Sequence, residues 1–565
     1  MAHAPIEFPP PVDSAAEFVG PPTDDPDERI EVGVAIVGGG QAGLACAIRL
    51  LQLLADDEEL TERLGEVPVA VIEKGRVAGA HQLSGGVMNP SAIRELLPDD
   101  DSWPHYGEVK RETVYFMPNR KRAIPLKPTP PPFKNHGNYV VSVAELNRWL
   151  GEKAEEMGAY ILTETTGQKL LVDEGKVVGV RTGDKGRDKA GGEKGNFEPG
   201  SDVMAQATVL AEGCWGHLTG AALKALDLAP KDPQVWALGV KEVWEIEQPF
   251  EKVVHTLGWP LRAGAKWKEF GGSWIYGMNR EGETPKVSIG FVTGLDWTDA
   301  RFSVHDVLQE FKLHPLVKKI LGDGKRVAWG AKAIPEGGYW AMPKLHAPGM
   351  VIAGDAGGMV NVPKLKGIHY AIESGRLAAE TIYRQLKDGS SDFKGYEDAV
   401  YKSKMGQELY ESRNMKQPFG KGLVVGGALT NAMVLTKGRF PGGHWATHRD
   451  SEAPLRYSGR EERYPKPDGK YTFDKLSGVF LTGNATRDDA PSHIKLQQRV
   501  PREVADAWTY MCPAGVYEVP EDAPEEGMVD LIVNPSNCVQ CGAITAKGGR
   551  LTPPEGGDGP VYQIT

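Results

Sequence analysis

The chain has 565 residues, of which 40% are hydrophobic and 25% charged, and its formal net charge is -11 at pH 7. Such a length predicts about two or three domains. The acidic balance argues against nucleic-acid binding, because phosphate neutralisation needs a basic face. Five cysteines are too few for a disulfide scaffold and are typical of a reduced, cytosol-facing compartment.

The N-terminal residues 1–30 are rich in Pro, Asp and Glu and predict a flexible arm. They show neither a secretory signal nor a mitochondrial presequence. No run in the chain reaches the roughly 18 apolar residues that a membrane-spanning helix needs. We therefore expect a protein that does not cross a membrane, although it could still lie on one.

The first predicted unit is a strand (31–37), a glycine-rich turn and a helix (41–54). Gly38 allows the sharp turn, Gly40 lets the backbone approach a pyrophosphate, and Gly43 lets helix and strand pack closely. The whole turn comprises Gly38, Gly39, Gly40, Gln41, Ala42 and Gly43. The helix N-terminus then offers free N–H groups to phosphates.

A second strand (67–72) ends at Glu73, whose carboxylate can accept both hydroxyls of a ribose. The glycine-to-acid spacing exceeds the usual value of about 20 residues, and an acidic insert (55–66) accounts for the excess. The negative charge also disfavours a 2′-phosphate. The alternative is that the glycines form only a packing turn.

Three later segments favour FAD over NAD. A strand (207–210) enters a Glu-Gly turn, and another (350–353) ends at Gly354 and Asp355, where the carboxylate can bind a ribityl hydroxyl. A long helix (366–386) follows, and its N-terminal dipole would stabilise charge on a reduced flavin. The alternative is a set of ordinary parallel strands with glycine-rich exits.

A β-rich insert separates these flavin segments, with strands predicted at 255–259, 270–276 and 287–293. Gly271 and Gly272 within a strand indicate close approach of a backbone or a ligand, or else a bulge. Further on, residues 422–435 carry no charge and are flanked by Lys421, Lys437 and Arg439. Such a stretch suits an interfacial helix or a buried one, not a span.

Three cysteines lie in the last tenth of the chain: Cys512, followed by proline, and the C-x-x-C pair Cys538 and Cys541. Thiolates bind iron strongly, and a tight C-x-x-C loop can place two sulfurs on one cluster. A zinc site is the alternative, although three cysteines without a nearby histidine do not complete its usual set of four ligands. Cys46 and Cys214 are interpreted as structural thiols. A flavin together with a cluster predicts an electron relay.

At this point the sequence resembles a known family, the electron transfer flavoprotein–ubiquinone oxidoreductases. The resemblance is carried, in the family's order, by five segments: AHQLSGG (80–86), AEGCWGHL (211–218), NVPKLKG (361–367), YPKPDG (464–469) and CPAGVYE (512–518). It implies a multidomain α/β and α+β fold. In that fold a glutathione-reductase-type, Rossmann-like FAD domain is interrupted by a β-rich quinone-binding insert and followed by a ferredoxin-like domain.

The resemblance also implies domain boundaries. We expect the FAD domain at 31–221 and 341–420 with a membrane hairpin near 111–135, the quinone domain at 222–340, an interfacial helical segment at 421–450 and the iron–sulfur domain at 451–565. By the same resemblance Gly271 and Gly272 face the quinone headgroup. Further flavin contacts are expected from Ser84, Gly85, Gly86, Gly354, Asp355 and Gly367.

In one place the chain departs from the family. The family pattern continues C-x-x-C-x-x-C, so a further cysteine is expected at position 544, where this chain has Ile544. Three thiolates can hold a [3Fe–4S] cluster. They can also hold a [4Fe–4S] cluster completed by water, a carboxylate or a hydroxyl such as that of Thr545. A lost cluster is the remaining alternative.

The resemblance implies that a reduced electron transfer flavoprotein supplies electrons, which pass through FAD and a cluster to ubiquinone or menaquinone. It also implies peripheral or monotopic attachment, expected at the cytoplasmic face of a bacterial inner membrane. The sequence shows no nucleophilic triad or paired carboxylates, and His217 is interpreted as a turn residue. One alternative is an NAD(P)H-dependent reductase or hydroxylase of the geranylgeranyl-reductase-like type. The other is a non-enzymatic docking partner with a vestigial cluster domain.

Overall fold

A nine-stranded sheet carries the glycine turn in the computed structural model, which describes residues 2–565. Its central strands run parallel and are buried on both faces, as their continuous apolar runs require. In sheet order the strands are Val19–Gly20, Gly167–Asp173, Lys176–Thr182, Asp202–Leu210, Arg29–Val37, Val69–Ile72 and Tyr160–Leu162. The strand Met350–Ile352 pairs with Asp202–Leu210 and with His346–Ala347. The predicted strands of the flavin segments are confirmed.

Two helices meet directly over this sheet, Gln41–Leu54 and Ile368–Lys387. They approach closely because Gly375 faces Ala42, so that a Cβ at position 375 would lie 2.0 Å from the Ala42 carbonyl oxygen. The contact fixes the N-terminal turn of the first helix. Both helices lie where the sequence predicts them.

The expectation of a flexible N-terminal arm is wrong for the described residues 2–30. Val19–Gly20 pairs in parallel with Gly167–Asp173 and so adds an edge strand to the sheet. Phe18 is 3% exposed and packs edge-on against His217, with ring centroids 5.0 Å apart. One aromatic anchor and one strand pairing therefore dock a segment whose composition resembles that of a linker.

The second sheet has seven strands and forms the β-rich insert. In order they are Lys325–Pro335, Trp236–Glu245, Lys286–Gly294, Gly271–Met278, Val253–Gly258, Glu112–Asn119 and Arg122–Pro125. The three strands predicted in the insert are confirmed. The hairpin expected near 111–135 forms at Glu112–Asn119 and Arg122–Pro125. It joins this second sheet, through parallel pairing with Val253–Gly258, and not the nine-stranded sheet.

The C-terminal unit is built from short antiparallel pairs and two helices, Arg502–Met511 and Ala543–Ala546. Its apolar residues, among them Trp508 and Ile544, share one continuous core with Trp297 and Phe311 beneath the second sheet. The Ala333 amide of the edge strand donates to the Cys541 carbonyl at 2.8 Å. The cysteine-bearing loop therefore covers the open edge of the second sheet. The short strands are Ile494–Lys495 with Arg550–Leu551, Arg499–Pro501 with Met528–Asp530, and Tyr517–Glu518 with Ile532–Val533.

The remaining elements connect these units. The other α-helices are Ser14–Phe18, Glu58–Leu64, Ser91–Leu96, Val143–Glu156, His217–Ala225, Val304–Lys312, Pro315–Leu321, Lys394–Lys402, Lys404–Ser412, Leu423–Leu435 and Lys475–Phe480. The other strand pairs are Val87–Met88 with Tyr139–Val140 and Lys185–Arg187 with Glu193–Glu198. Among residues 2–565, none of the helices combines the length and the apolar character needed to pass through a bilayer.

Candidate functional site

The glycine turn has the geometry of a phosphate cradle. Gly38 has a φ of 109°, and a Cβ there would lie 2.3 Å from the Ala211 carbonyl oxygen. A Cβ on Gly43 would lie 2.0 Å from the Gly38 carbonyl oxygen, so glycine is required at both positions. No side chain caps the helix that begins at Gln41. Its first N–H groups are left for a ligand.

Glu73 closes one side of this cradle. Its carboxylate accepts hydrogen bonds from the Gly39 amide at 2.8 Å and the Gly75 amide at 2.6 Å. The side chain is buried at the end of its strand, as expected for an acid that receives ribose hydroxyls. Next to it, burial lowers the pKa of Lys74 to about 8.

Asp355 lies where the glycine-rich exit of the strand Met350–Ile352 meets the cavity. Burial raises the pKa of Asp355 to about 6. The Cys214 thiol lies 3.6 Å from one of its carboxylate oxygens. Gly354 has a φ of 68°, and its Cβ would lie 2.8 Å from the Ala42 side chain. A larger residue would therefore fill the cradle between the two helices.

These features fit FAD. A glycine turn, an acid at the end of the second strand and a buried aspartate at the third are arranged around one space. Gly367 begins the helix Ile368–Lys387 at the wall of the same space. The dipole of that helix therefore points into it.

Two adjoining cavities extend from the glycine turn to the second sheet. These two compartments share Gln82, Leu83, Lys332, Ile334 and Asp355 in their walls. The compartment nearer the second sheet is also lined by the predicted residues Ser84, Gly85, Gly86, Gly271 and Gly272. The structure thus brings the predicted flavin loop and the predicted glycine pair together, although about 185 residues separate them in sequence.

Gly271 and Gly272 form part of the strand Gly271–Met278, without a bulge. A Cβ on Gly271 would lie 2.0 Å from the Val292 carbonyl oxygen, and one on Gly272 would lie 2.5 Å from that of Thr256. Close approach of both neighbouring strands therefore requires the two glycines. Their lack of side chains also leaves the cavity open at this point.

His255 and Tyr276 form a polar pair in the same compartment, with Nε2 and Oη 2.7 Å apart. Burial, with a contribution from the nearby Lys366, lowers the pKa of His255 to about 3. Burial also lowers the pKa of Lys366 to about 8. The imidazole is therefore neutral over the physiological range.

The three C-terminal cysteines lie together beneath the edge of the second sheet. Backbone amides donate to two of the sulfurs, Val516 to Cys512 and Gln540 to Cys538, each at 3.4 Å. Burial raises the pKa of Cys541 to about 12, and neighbouring Cys512 adds to the effect. A donor set of three thiols, two of them buried with N–H···S bonds and that of Cys541 partly buried, suits an iron–sulfur cluster.

Ile544 is 3% exposed in the apolar core that includes Cys512 and Cys538. It supplies no donor atom. The hydroxyl of Thr545 accepts a hydrogen bond from the Leu551 amide at 3.0 Å. Within residues 2–565, no three His, Cys, Asp or Glu side chains converge closely enough to hold a single metal ion.

The cysteine loop is joined to the flavin cradle through Gln540. Its carbonyl accepts from Lys332 Nζ at 3.3 Å, and its side-chain oxygen accepts from Lys74 Nζ at 2.8 Å. Lys332 also lines both cavity compartments. Two lysines thus bridge the cysteine loop and the predicted FAD site.

Sequence reasoning missed several residues of this cavity, including Lys332, Glu336 and Lys416. No local motif marks them, because each reaches the site only through the pairing of the second sheet or the packing of the segment at 413–421. Cys214 was interpreted as a structural thiol, yet it lies at the cavity wall beside Asp355. Its place in the AEGCWGHL segment was the available signal.

Comparison with known proteins agrees with this architecture. A family model described as the ubiquinone-binding domain of ETF-QO matches residues 236–334. A second, described as the 4Fe-4S domain of electron transfer flavoprotein-ubiquinone oxidoreductase, matches residues 469–563. A protein of that name from Pseudomonas aeruginosa is 37% identical over 95% of this chain and 99% of its own length. A mitochondrial one from Caenorhabditis elegans is 36% identical over 94% of this chain and 91% of its own length.

Among solved structures, a geranylgeranyl bacteriochlorophyll reductase-like protein from Thermoplasma acidophilum matches with a TM-score of 0.55. It is 19% identical and covers 76% of this chain and 93% of its own, a likeness that concerns the fold alone. The two family models match in the expected order, and the relatives match along almost the whole chain. Both comparisons indicate one family. The chain belongs to the electron transfer flavoprotein–ubiquinone oxidoreductase family.

Proposed function

We propose that this chain accepts electrons from a reduced electron transfer flavoprotein and delivers them, by way of FAD, to a membrane quinone. The observation that carries the proposal is the pair of adjoining cavities that extend from the glycine turn to Gly271 and Gly272. Family membership supports the identity of donor and acceptor. In this reading the geranylgeranyl-reductase-like neighbour shares the fold without sharing the reaction.

FAD would be held by the glycine turn at its pyrophosphate, by Glu73 at its ribose and by Asp355 at its ribityl chain. When bound, FAD supplies an electron carrier that works in one- and two-electron steps. Ser84, Gly85 and Gly86 would line its ring, and the helix that begins after Gly367 would stabilise negative charge there. The protein contributes position and electrostatics to the reaction.

We assign Cys512, Cys538 and Cys541 as ligands of an iron–sulfur cluster. The assignment rests on three neighbouring thiols, of which Cys512 and Cys538 are buried and accept hydrogen bonds from backbone amides. Because Ile544 offers no ligand, the cluster would be [3Fe–4S], or [4Fe–4S] with a non-cysteine ligand. Iron and acid-labile sulfide analysis of anaerobically purified protein, together with EPR of oxidised and reduced samples, separates these two from an empty site.

The quinone would enter through an apolar rim. We define this rim by its exposed residues: Leu365, Val424, Val425, Leu435 and Phe440. Leu365 and Leu423 also line the cavity, so the rim is continuous with its mouth. Exposed basic residues lie beside it in sequence, namely Lys421, Lys437 and Arg439, and the hairpin turn carries two more, Arg120 and Lys121. Such a surface suits peripheral insertion among anionic headgroups, at roughly 1 kcal/mol per basic residue.

The same arrangement supports the proposed place of attachment. All five cysteines are free, as is typical of a reduced compartment. We therefore propose that the rim lies on the cytoplasmic side of a bacterial inner membrane. The FAD domain would comprise residues 31–221 and 341–420, except for the hairpin at 112–125. The quinone domain would comprise residues 222–340 together with that hairpin. The interfacial segment 421–450 and the cluster domain 451–565 complete this division.

The experiment is a reconstituted turnover assay with the purified holoprotein, reduced electron transfer flavoprotein and a soluble ubiquinone or menaquinone analogue. We expect donor-dependent quinol formation. We also expect that NADH and NADPH leave the yellow colour of the flavin unchanged. Bleaching of the flavin colour by NADH or NADPH would favour the NAD(P)H-dependent reductase alternative. A colourless, flavin-free protein would favour the docking partner.

Membrane attachment is tested by flotation with liposomes that contain anionic lipid. The variant Val424→Asp places a charge on a side chain that is 85% exposed in the rim, and we expect it to lower flotation. Phe480→Asp is the matched control, because Phe480 is also 85% exposed but lies outside the rim and the cavity. Equal flotation of the two variants would contradict the assigned surface.

A further inference from the structure

A group of buried charges lies at the quinone end of the cavity and has no part in the function proposed so far. Four neighbouring strands of the second sheet lead to this group. In sheet order they are Gly271–Met278, Lys286–Gly294, Trp236–Glu245 and Lys325–Pro335. Their ends form a row at one end of the sheet, from Gly271 to Glu336. The Glu336 amide continues the pairing by donating to the Val235 carbonyl at 2.7 Å.

Glu336 is 7% exposed and lines the cavity with Lys416. Its Oε2 lies 2.6 Å from Lys416 Nζ. Behind this pair, Asp296 Oδ1 and Glu336 Oε2 both lie within 3.5 Å of the point that a Cβ on Gly294 would occupy. The carboxylate of Asp296 therefore lies next to the Glu336–Lys416 pair, on the side away from the cavity.

Asp450 extends the group further into the protein. It is 3% exposed, and its Oδ2 accepts from the Trp236 amide at 2.8 Å. Within residues 2–565, Oδ1 of Asp450 and Oδ1 of Asp296 are buried without a hydrogen-bond partner. Buried, unsatisfied oxygens are costly and are commonly satisfied by water or by a proton. Asp296 as a whole is only half-buried, so the chain of groups reaches solvent.

We propose that Glu336 and Lys416, backed by Asp296 and Asp450, deliver protons to the quinone at the Gly271–Gly272 end of the cavity. The inference rests on the proposed function, since only a quinone-reducing site needs such delivery. Two electrons arrive from the flavoprotein donor and two protons come from solvent, and the quinone leaves as quinol. Glu336 gives a proton to a quinone oxygen and regains one through Lys416 or Asp296.

The electrostatics of the group agree with a proton-holding role. Burial, and then the neighbouring Asp296, raise the pKa of Asp450 well above its usual range. Although burial opposes it, the carboxylates of Glu336, Asp296 and Asp450 raise the pKa of Lys416. Burial lowers the pKa of Lys547, on the far side of Asp450, to about 8. Asp450 and Lys416 therefore favour their protonated forms near neutral pH.

Other titratable groups border the same space and must be considered in any pH profile. On the side away from the cavity they are Lys268 and Lys547. In the cavity wall they are His255, Lys332, Asp355 and Lys366. His255 is the competing donor, yet burial lowers its pKa to about 3. It therefore carries no proton to give as imidazolium near neutral pH.

The test compares two acceptors with one donor. The holoprotein is reduced by electron transfer flavoprotein and turned over with a soluble quinone analogue, which takes up protons, or with ferricyanide, which takes up none. We expect Glu336→Gln to slow quinone reduction by about tenfold or more. The deficit should grow toward alkaline pH and be accompanied by a larger solvent deuterium isotope effect. Ferricyanide reduction should stay near the wild-type rate.

The matched control is Glu461→Gln. Glu461 is a half-buried carboxylate that is likewise paired with a cation, Arg301 at 2.9 Å, and has one unpartnered oxygen within the described residues. It does not line the cavity, so both of its rates should equal those of the wild type. If Glu336→Gln does not fold, Asp296→Asn, at the solvent end, replaces it in the comparison with the same expected selectivity.

Equal loss of both rates, or no loss of either, would overturn the proton-delivery role. A wild-type protein that reduces ferricyanide but no quinone would refute the proposed function itself, before any variant is compared. The two failures are therefore distinguishable.

Discussion

The close contact between the helices Gln41–Leu54 and Ile368–Lys387 predicts a specific effect of Gly375→Ala. A Cβ at position 375 would lie 2.0 Å from the Ala42 carbonyl oxygen, whereas real Cβ contacts stay beyond 3.0 Å. The helices must therefore separate by about 1 Å at this point, which costs about 1–3 kcal/mol by overpacking. Replacing glycine by alanine within a helix stabilises the helix by about 1 kcal/mol. The expected net decrease in the free energy of unfolding is therefore modest.

The larger effect is expected on flavin binding, because Ala42 belongs to the turn that would receive the pyrophosphate. A shift of about 1 Å moves its amides beyond hydrogen-bond distance. Each lost bond to a charged group costs about 1.5–3 kcal/mol, or about tenfold or more in affinity. The assay is FAD titration of the apoprotein, with flavin content as isolated and thermal unfolding as companions.

Gly395→Ala is the control for this prediction. Gly395 also lies in a helix, Lys394–Lys402, but the nearest atom to its Cβ would be 3.7 Å away, on Gln385. We expect unchanged FAD affinity and slightly higher stability, since only the propensity gain remains. If Gly375→Ala binds FAD as tightly as Gly395→Ala does, the helix contact does not set the geometry of the phosphate cradle.

Three further predictions concern the cluster, the lysine bridge and the core. Ile544→Cys should raise the iron-to-protein ratio and convert the EPR signal, because position 544 continues the family's cysteine spacing; an unchanged ratio would contradict this. Lys332→Gln should lower the reduction potentials of flavin and cluster in redox titrations, because a nearby cation favours the more negative, reduced form. If Lys332→Gln raises the two reduction potentials or leaves them unchanged, Lys332 does not act on both the flavin and the cluster. Lys312→Met should lower the free energy of unfolding in urea by about 3–5 kcal/mol, since it leaves the buried Glu242 carboxylate without its 2.7 Å partner. The exposed Lys394→Met should change it by less than about 0.5 kcal/mol, and similar losses in both would count against the buried pair.

The flavin half of the site could be predicted from sequence because its constraints are local. Gly38 must adopt the positive φ of the turn, Gly43 is required by its contact with Gly38 a few residues before it, and Glu73 follows directly from its strand. Three of the seven strands of the second sheet were also predictable, since they are apolar runs bounded by turns. In both cases the physical cause lies within a few residues of the signal.

The remainder depends on contacts that no short window contains. Glu336 and Lys416 are 80 residues apart, and neither stands in a recognisable motif, yet the fold places them 2.6 Å apart. The N-terminal segment was predicted as a flexible arm because its composition is polar. What docks it is the burial of Phe18 against His217, about 200 residues away. Tertiary pairing outweighs composition in each case.

One strand explains how the two ends of the cavity are connected. Alternate residues of a strand face the same side, so Lys332, Ile334 and, just beyond the strand end, Glu336 all line the cavity. Between them, the Ala333 amide donates to the carbonyl of Cys541 in the cysteine loop. The edge strand Lys325–Pro335 therefore contacts the cysteine loop along its edge, the predicted flavin site through Lys332 and the proposed proton donor at its end.

Because a strand is stiff and its register is fixed by pairing with Trp236–Glu245, these three points keep their spacing. In the proposed reaction, the electron route at Lys332 and the proton route at Glu336 would reach the quinone from two separate points near the C-terminal end of this one strand. This arrangement predicts that substitutions of Lys332 alter reduction potentials, while substitutions of Glu336 alter only the reaction that takes up protons. A variant at either position that changed both properties would show that the strand does not separate the two routes.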